Sequence, residues 1–114
     1  MVEEKRKFKR FEVSLPVEVE EKESKLLLKG EVKELSREGL KLNLPSFNPD
    51  INSEIVVKIK RPNKKTFVPL LGEVVWKKST GEKWEMGIKI KEMDKTVKME
   101  ILEFAYESWL KKFS

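Results

Sequence analysis

Cysteine is missing from this 114-residue sequence, and so are histidine and glutamine. Without cysteine there is no disulfide, no thiolate nucleophile and no thiolate metal site. Without histidine the commonest general base and metal ligand are gone. Aspartate occurs only as Asp50 and Asp94, where turn or helix-cap chemistry accounts for each. Glutamates are plentiful, but no pattern pairs two of them in a cleft. The chain is therefore expected not to be an enzyme, with no catalytic residue, metal or cofactor. Long hydrophobic runs are also lacking. Stretches such as Leu26-Leu27-Leu28 and Ile55-Val56-Val57 fall far short of the roughly 20 residues a membrane helix needs. The N-terminus is charged from Glu3 onward with no apolar segment behind it, so it does not read as a signal peptide. A cytoplasmic protein without membrane insertion is the expectation.

What the chain does have is charge. Asp, Glu, Lys and Arg make up 39% of it, mostly as Lys and Glu, and the net charge is +5. That balance is compatible with an anionic partner without identifying one. An apolar fraction of 39% can build one compact core, and the length suits a single domain.

Residues 1–10 carry almost nothing apolar before Phe8 and read as a flexible basic arm. From Phe11 the pattern changes to alternation: Phe11, Val13, Leu15, Val17 and Val19 are interleaved with polar residues, the period of a half-buried strand. Pro16 interrupts its donors and suggests an edge or a bulge. Leu26, Leu28 and Val32 form a second strand with a bend at Gly30, and Leu40, Leu42 and Leu44 a third. Residues 45–53, rich in Pro, Asn and Ser, make a loop. Ile55, Val57 and Ile59 give a fourth strand, residues 67–77 a fifth containing Gly72, and Trp84, Met86, Ile88 and Ile90 a sixth. Trp76 falls on the face of Val74. Asp94 then caps a helix in which Val97, Ile101, Phe104, Ala105 and Ser108 recur at helical spacing, widened by Leu102, Tyr106, Trp109 and Phe113. The pattern predicts a mostly-β fold, a six-stranded antiparallel β-barrel over 11–91 with a C-terminal α-helix over 94–113.

Two places could carry chemistry. Arg6 and Arg10, two of only four arginines, stand four apart in Lys5-Arg6-Lys7-Phe8-Lys9-Arg10. Their planar forks suit phosphate oxygens and the O6 and N7 acceptors of guanine, whereas the same run can equally serve as a solvated basic tail. The second place is Glu34-Leu35-Ser36-Arg37-Glu38-Gly39, where Ser36 supplies a small hydroxyl and Gly39 allows close approach, or where a plain turn is all that is required. Gly87, inside the sixth strand, can likewise be a bulge.

Taken in order along the chain, these pieces resemble the PilZ domain family. Its signature is Arg-x-x-x-Arg and, about twenty to thirty residues later, Asp/Asn-x-Ser-x-x-Gly. Arg6 and Arg10 match the first half, Ser36 and Gly39 the second, and Gly72-Glu73-Val74-Val75-Trp76 with Met86-Gly87-Ile88-Lys89-Ile90 is similar to the family's late strands. The resemblance implies a β-barrel receptor for the bacterial second messenger cyclic di-GMP that relays it to a partner protein. Arg6 and Arg10 would clamp phosphates and guanine edges, aided by Lys5. Ser36 and Gly39 would lie beneath the ligand, and Gly87 would leave room beside it. Glu34 stands where the family has Asp or Asn. Its carboxylate can accept guanine N–H donors, but the extra methylene moves the oxygens, at a cost on the order of 1–3 kcal/mol. A rival is a PilZ-like adaptor that has lost the ligand. A third reading, a nucleic-acid-binding barrel using Trp76 and Trp84, is disfavoured by neighbouring Glu73, Glu82 and Glu85.

Overall fold

A computed structural model describes residues 10–20, 27–45 and 48–112. Six strands and one helix follow each other in sequence: β1 (Phe11–Glu20), β2 (Leu27–Leu35), β3 (Gly39–Leu44), β4 (Glu54–Lys60), β5 (Phe67–Ser79), β6 (Trp84–Met93) and α1 (Lys95–Lys111). The strands close into an antiparallel barrel in the order β1-β2-β3-β6-β5-β4. Closure removes the exposed ladder edges that an open sheet would offer.

The alternation in the sequence is what fills the barrel. Leu15, Val17 and Val19 of β1, Leu42 and Leu44 of β3, and Val57 and Ile59 of β4 are buried inside, with Met86 and Ile88 of β6. Gly30, expected to mark a bend, lies within continuous β2. Although the barrel is closed, Pro16 lies where β1 is paired on one side only. It follows an irregularity in the β1–β2 register between Glu12 and Leu15, and the β1–β4 ladder begins only at Val17, so the missing N–H falls just outside that ladder.

Two register shifts lie between β5 and β6, at Leu71/Gly72 and at Val74/Trp76. The second changes the expected arrangement. Val74 pairs with Ile88, but Trp76 pairs with Gly87, so Val75 is an extra residue and Trp76 turns to the outer face. Trp76 therefore does not share the face of buried Val74, as strict alternation predicts.

Helix α1 covers one end of the barrel. Asp94 caps it by accepting a hydrogen bond from the Val97 N–H at 2.9 Å. Ile101 and Ala105 are buried, while Val97, Leu102 and Phe104 pack partly against the same core. β6 extends past residue 91 to Met93, and Phe113 lies outside the described residues. The β4–β5 turn is tied to the helix by a two-pronged ion pair: Arg61 Nε donates to Glu100 Oε2 at 2.9 Å and Nη2 to Oε1 at 2.8 Å. These bonds hold the Glu100 carboxyl below its ordinary value of 4.5. A depressed carboxylate stabilises the fold fully above that value and loses the contribution as pH falls through its lowered pKa. Glu100→Gln is therefore expected to lower the urea midpoint at pH 7, with the gap to wild type closing below pH 4.5. Equal gaps at pH 7 and pH 3 would show that the pair contributes nothing.

Candidate ligand-binding site

The β2–β3 connection is built on Ser36. Its N–H donates to the Gly39 carbonyl at 2.9 Å, and its hydroxyl oxygen lies 3.3 Å from both the Glu38 and Gly39 N–H groups, which donate to it. The hydroxyl itself points back at the Gly39 carbonyl, 3.4 Å away. Ser36, only 6% exposed, thus spends its hydrogen-bonding capacity on its own turn. The turn is pinned to β6 by the Ile90 N–H, which donates to the Glu38 carbonyl at 2.8 Å. A side chain at Gly39 would collide with the Ile88 carbonyl, so this position requires glycine for close approach.

Gly87 faces outward between buried Met86 and Ile88, and the indole of Trp76 lies over it; a Cβ at Gly87 would run into Nε1 and Cε2 of that ring. Glycine here makes space for the tryptophan. The family resemblance implies room beside a ligand at Gly87; in this structure the Trp76 indole lies against that bare backbone.

Arg10, the Ser36–Gly39 turn, Gly87 and Trp76 come together around one opening of about 370 Å³, with Val75 and Lys89 on its rim. Its chemistry is mixed: a guanidinium at one side, a flat indole and an exposed valine at the other, and a carboxylate and an ammonium from Glu38 and Lys89. Such a site can take a planar, anionic molecule, with charge met by the fork and a ring met by the indole. In the sequence Val75 and Trp76 stand out only for the late-strand resemblance, and Trp76 as a stacking candidate on the face of Val74. Their place at this opening is not legible there, because a bulge is set by the partner strand. The one available signal was a glycine and a tryptophan in neighbouring strands, a pairing in which the aromatic covers the bare backbone.

Glu34 is not among the residues lining that opening. Its carboxylate is held from two sides, by Arg10 Nη1 at 3.7 Å and Lys41 Nζ at 3.0 Å, and Lys41 also lies 3.9 Å from Glu85. Glu34 lines a second hollow of about 680 Å³, between the β1–β2–β3 wall and the end of α1, together with Glu12, Lys33, Phe104 and Lys112. Lys5 and Arg6, with the expected arm, lie outside the described residues. Among the described residues no group of three Asp, Glu, His or Cys is placed to hold a metal, and no helix is long and apolar enough to cross a membrane.

Comparison with known proteins agrees with this architecture. Among solved structures, the Bacillus subtilis inhibitor of motility MotI/DgrA superposes with a TM-score of 0.77 at 16% identity, covering 96% of this chain and 53% of that one. The PilZ domain with c-di-GMP of YcgR from Escherichia coli gives 0.72 at 9% identity, over 96% of this chain and 94% of that one. Escherichia coli YcgR in complex with c-di-GMP gives 0.68 at 9% identity, over 90% and 45%. The chain thus spans about half the length of MotI/DgrA and of YcgR. At these identities the likeness is one of fold. No curated protein matches the sequence. The PilZ domain family model matches residues 4–107, almost the whole chain, and the protein belongs to the PilZ domain family.

Proposed function

We propose that this domain binds cyclic di-GMP at the opening around Arg10 and relays its presence to a partner protein. The observation that carries the reading is the convergence of Arg10, the Ser36–Gly39 turn and the Gly87–Trp76 shelf, distant in sequence, on one opening. It is supported by the fold shared with the c-di-GMP complexes of YcgR. In this reading Arg10, with Arg6 and Lys5 a few residues ahead, meets phosphate oxygens and guanine edges. The Trp76 indole offers a face on which a purine can lie. The domain acts by binding, as a cytoplasmic bacterial receptor.

The adaptor reading is favoured by one observation, the contact between Arg10 and Glu34. A ligand that recruits Arg10 has to draw it from that carboxylate. Because the pair is partly exposed, it is worth up to about 1 kcal/mol, or roughly fivefold in affinity, which weakens a messenger site without abolishing it. Glu34 is in this account a competitor for Arg10, not an acceptor of guanine N–H groups. The nucleic-acid reading has less support, because Trp76 stands on the outer face while Trp84 packs partly against the core, so the two rings make no common stacking surface.

Isothermal titration of cyclic di-GMP should show binding in the wild type and a loss of at least tenfold in Arg10→Ala and in Arg6→Ala. Absence of heat with folded wild-type protein would leave the adaptor reading in its place. Glu34→Gln should tighten binding by about two- to fivefold. Glu85→Gln, which changes the same charge without touching Arg10, should do less. Weaker binding by Glu34→Gln would show that the carboxylate contacts the ligand.

A further inference from the structure

Arg10 is bonded directly to Phe11, the first residue of β1. The start of this strand is poorly held by the sheet. Phe11 and Glu12 pair with Leu35 and Glu34 on one side, the register then breaks before Leu15, and on the other side β4 joins only at Val17. The end of α1 packs against this strand start. The Phe11 ring sits edge-on against Tyr106 and Trp109, with centroids 5.8 Å away in each case, and Tyr106 stacks on Trp109 at 5.9 Å. One residue further, Glu12 Oε2 accepts a hydrogen bond from Lys112 Nζ at 2.7 Å. This contact holds the Glu12 carboxyl below its ordinary value, chiefly through the hydrogen bond itself.

We infer that the last two turns of α1 position Arg10 for the ligand, with Trp109 and Tyr106 as positioning residues acting through Phe11. The inference rests on the cyclic di-GMP reading for what Arg10 binds, but not for how Arg10 is placed. A guanidinium is useful to a phosphate or a base edge only if its stem leaves the fold at a fixed point, since a displacement of about 1 Å can remove most of the value of an oriented contact. The strand ladder alone does not supply that point here, because pairing is one-sided and followed by a register break. Three rings in mutual contact do, because aromatic pairs in edge or offset geometry hold one another beyond the area they bury. Ile101 and Ala105 in the middle of the helix are buried in the core, whereas Tyr106 remains exposed and meets Phe11 at the strand start. By linkage, whatever fixes the helix end raises the affinity at Arg10, and ligand held by Arg10 steadies the helix end in return.

The test compares Trp109→Ala, Trp109→Phe and Ile101→Val, the last lowering stability through the core without touching Phe11. Two readouts are taken well below the melting temperature. In the free protein, amide hydrogen exchange at Phe11, Glu12 and Val13 should quicken at least tenfold in Trp109→Ala, stay near wild type in Trp109→Phe, and be unaffected in Ile101→Val beyond the change shared by all core amides. With cyclic di-GMP, affinity should fall at least tenfold in Trp109→Ala and return to within about threefold of wild type in Trp109→Phe. Unchanged exchange at these three amides in Trp109→Ala would overturn the inference whatever the ligand. Unchanged affinity, in a protein whose wild type binds, would overturn it as well. Wild type that binds nothing while the exchange effect is present would sink the ligand reading and leave the positioning intact. Lys112→Glu, an exposed substitution that sets two carboxylates against each other, should shift exchange at Glu12 in the same direction.

Discussion

Closure of the barrel is the constraint on which everything else in this protein depends. Because six strands form a ring, the register of each pair must agree with that of every other, and side chains on the outside are placed as firmly as those in the core. The apolar interior of Leu, Ile, Val and Met residues supplies the driving force, and the hydrogen-bonded ring converts it into a defined outer surface. The opening at Arg10 lies on that surface. Its parts come from the start of β1, the β2–β3 turn, β5 and β6, which the strand order β1-β2-β3-β6-β5 brings side by side.

Positions where regular pairing fails are also the positions that shape the site. The bulge at Val75 sends Trp76 outward over Gly87. The irregular stretch after Glu12 leaves the first residues of β1 dependent on α1. Bulges beside functional surfaces are common because one inserted residue re-aims a side chain while the ladder resumes on either side. Glycine at 39 and 87 belongs to the same logic, since each allows another group to come closer than a Cβ would permit.

Much of the architecture was legible in the residues. The alternation of Leu15, Val17 and Val19, or of Ile55, Val57 and Ile59, reflects a local geometric fact about extended chains, and the strands lie where it placed them. Asp94 announced the helix start, and the spacing of Ile101 and Ala105 its buried face. The motif residues Arg10, Ser36, Gly39 and Gly87 were picked out by type and order, and they meet at one opening. What they do there was less legible. Ser36 braces its own turn and Gly87 accommodates an indole, while Glu34 faces Arg10 and Lys41. Side-chain partners of this kind depend on distances between strands, which no single stretch of sequence contains.

By itself, then, the sequence determined the extended and helical segments, the inward and outward faces between bulges, and the family signature, because period and residue type are properties of the chain over a few positions. Only the tertiary structure decided that Trp76 leaves the face of Val74, that Glu34 lies beside Arg10, and that Phe11 leans on Tyr106 and Trp109. Those outcomes are set by which strand lies opposite and in what register, and by where the helix end comes to rest. Both are consequences of closing the ring around its core, an energy shared among residues far apart in sequence.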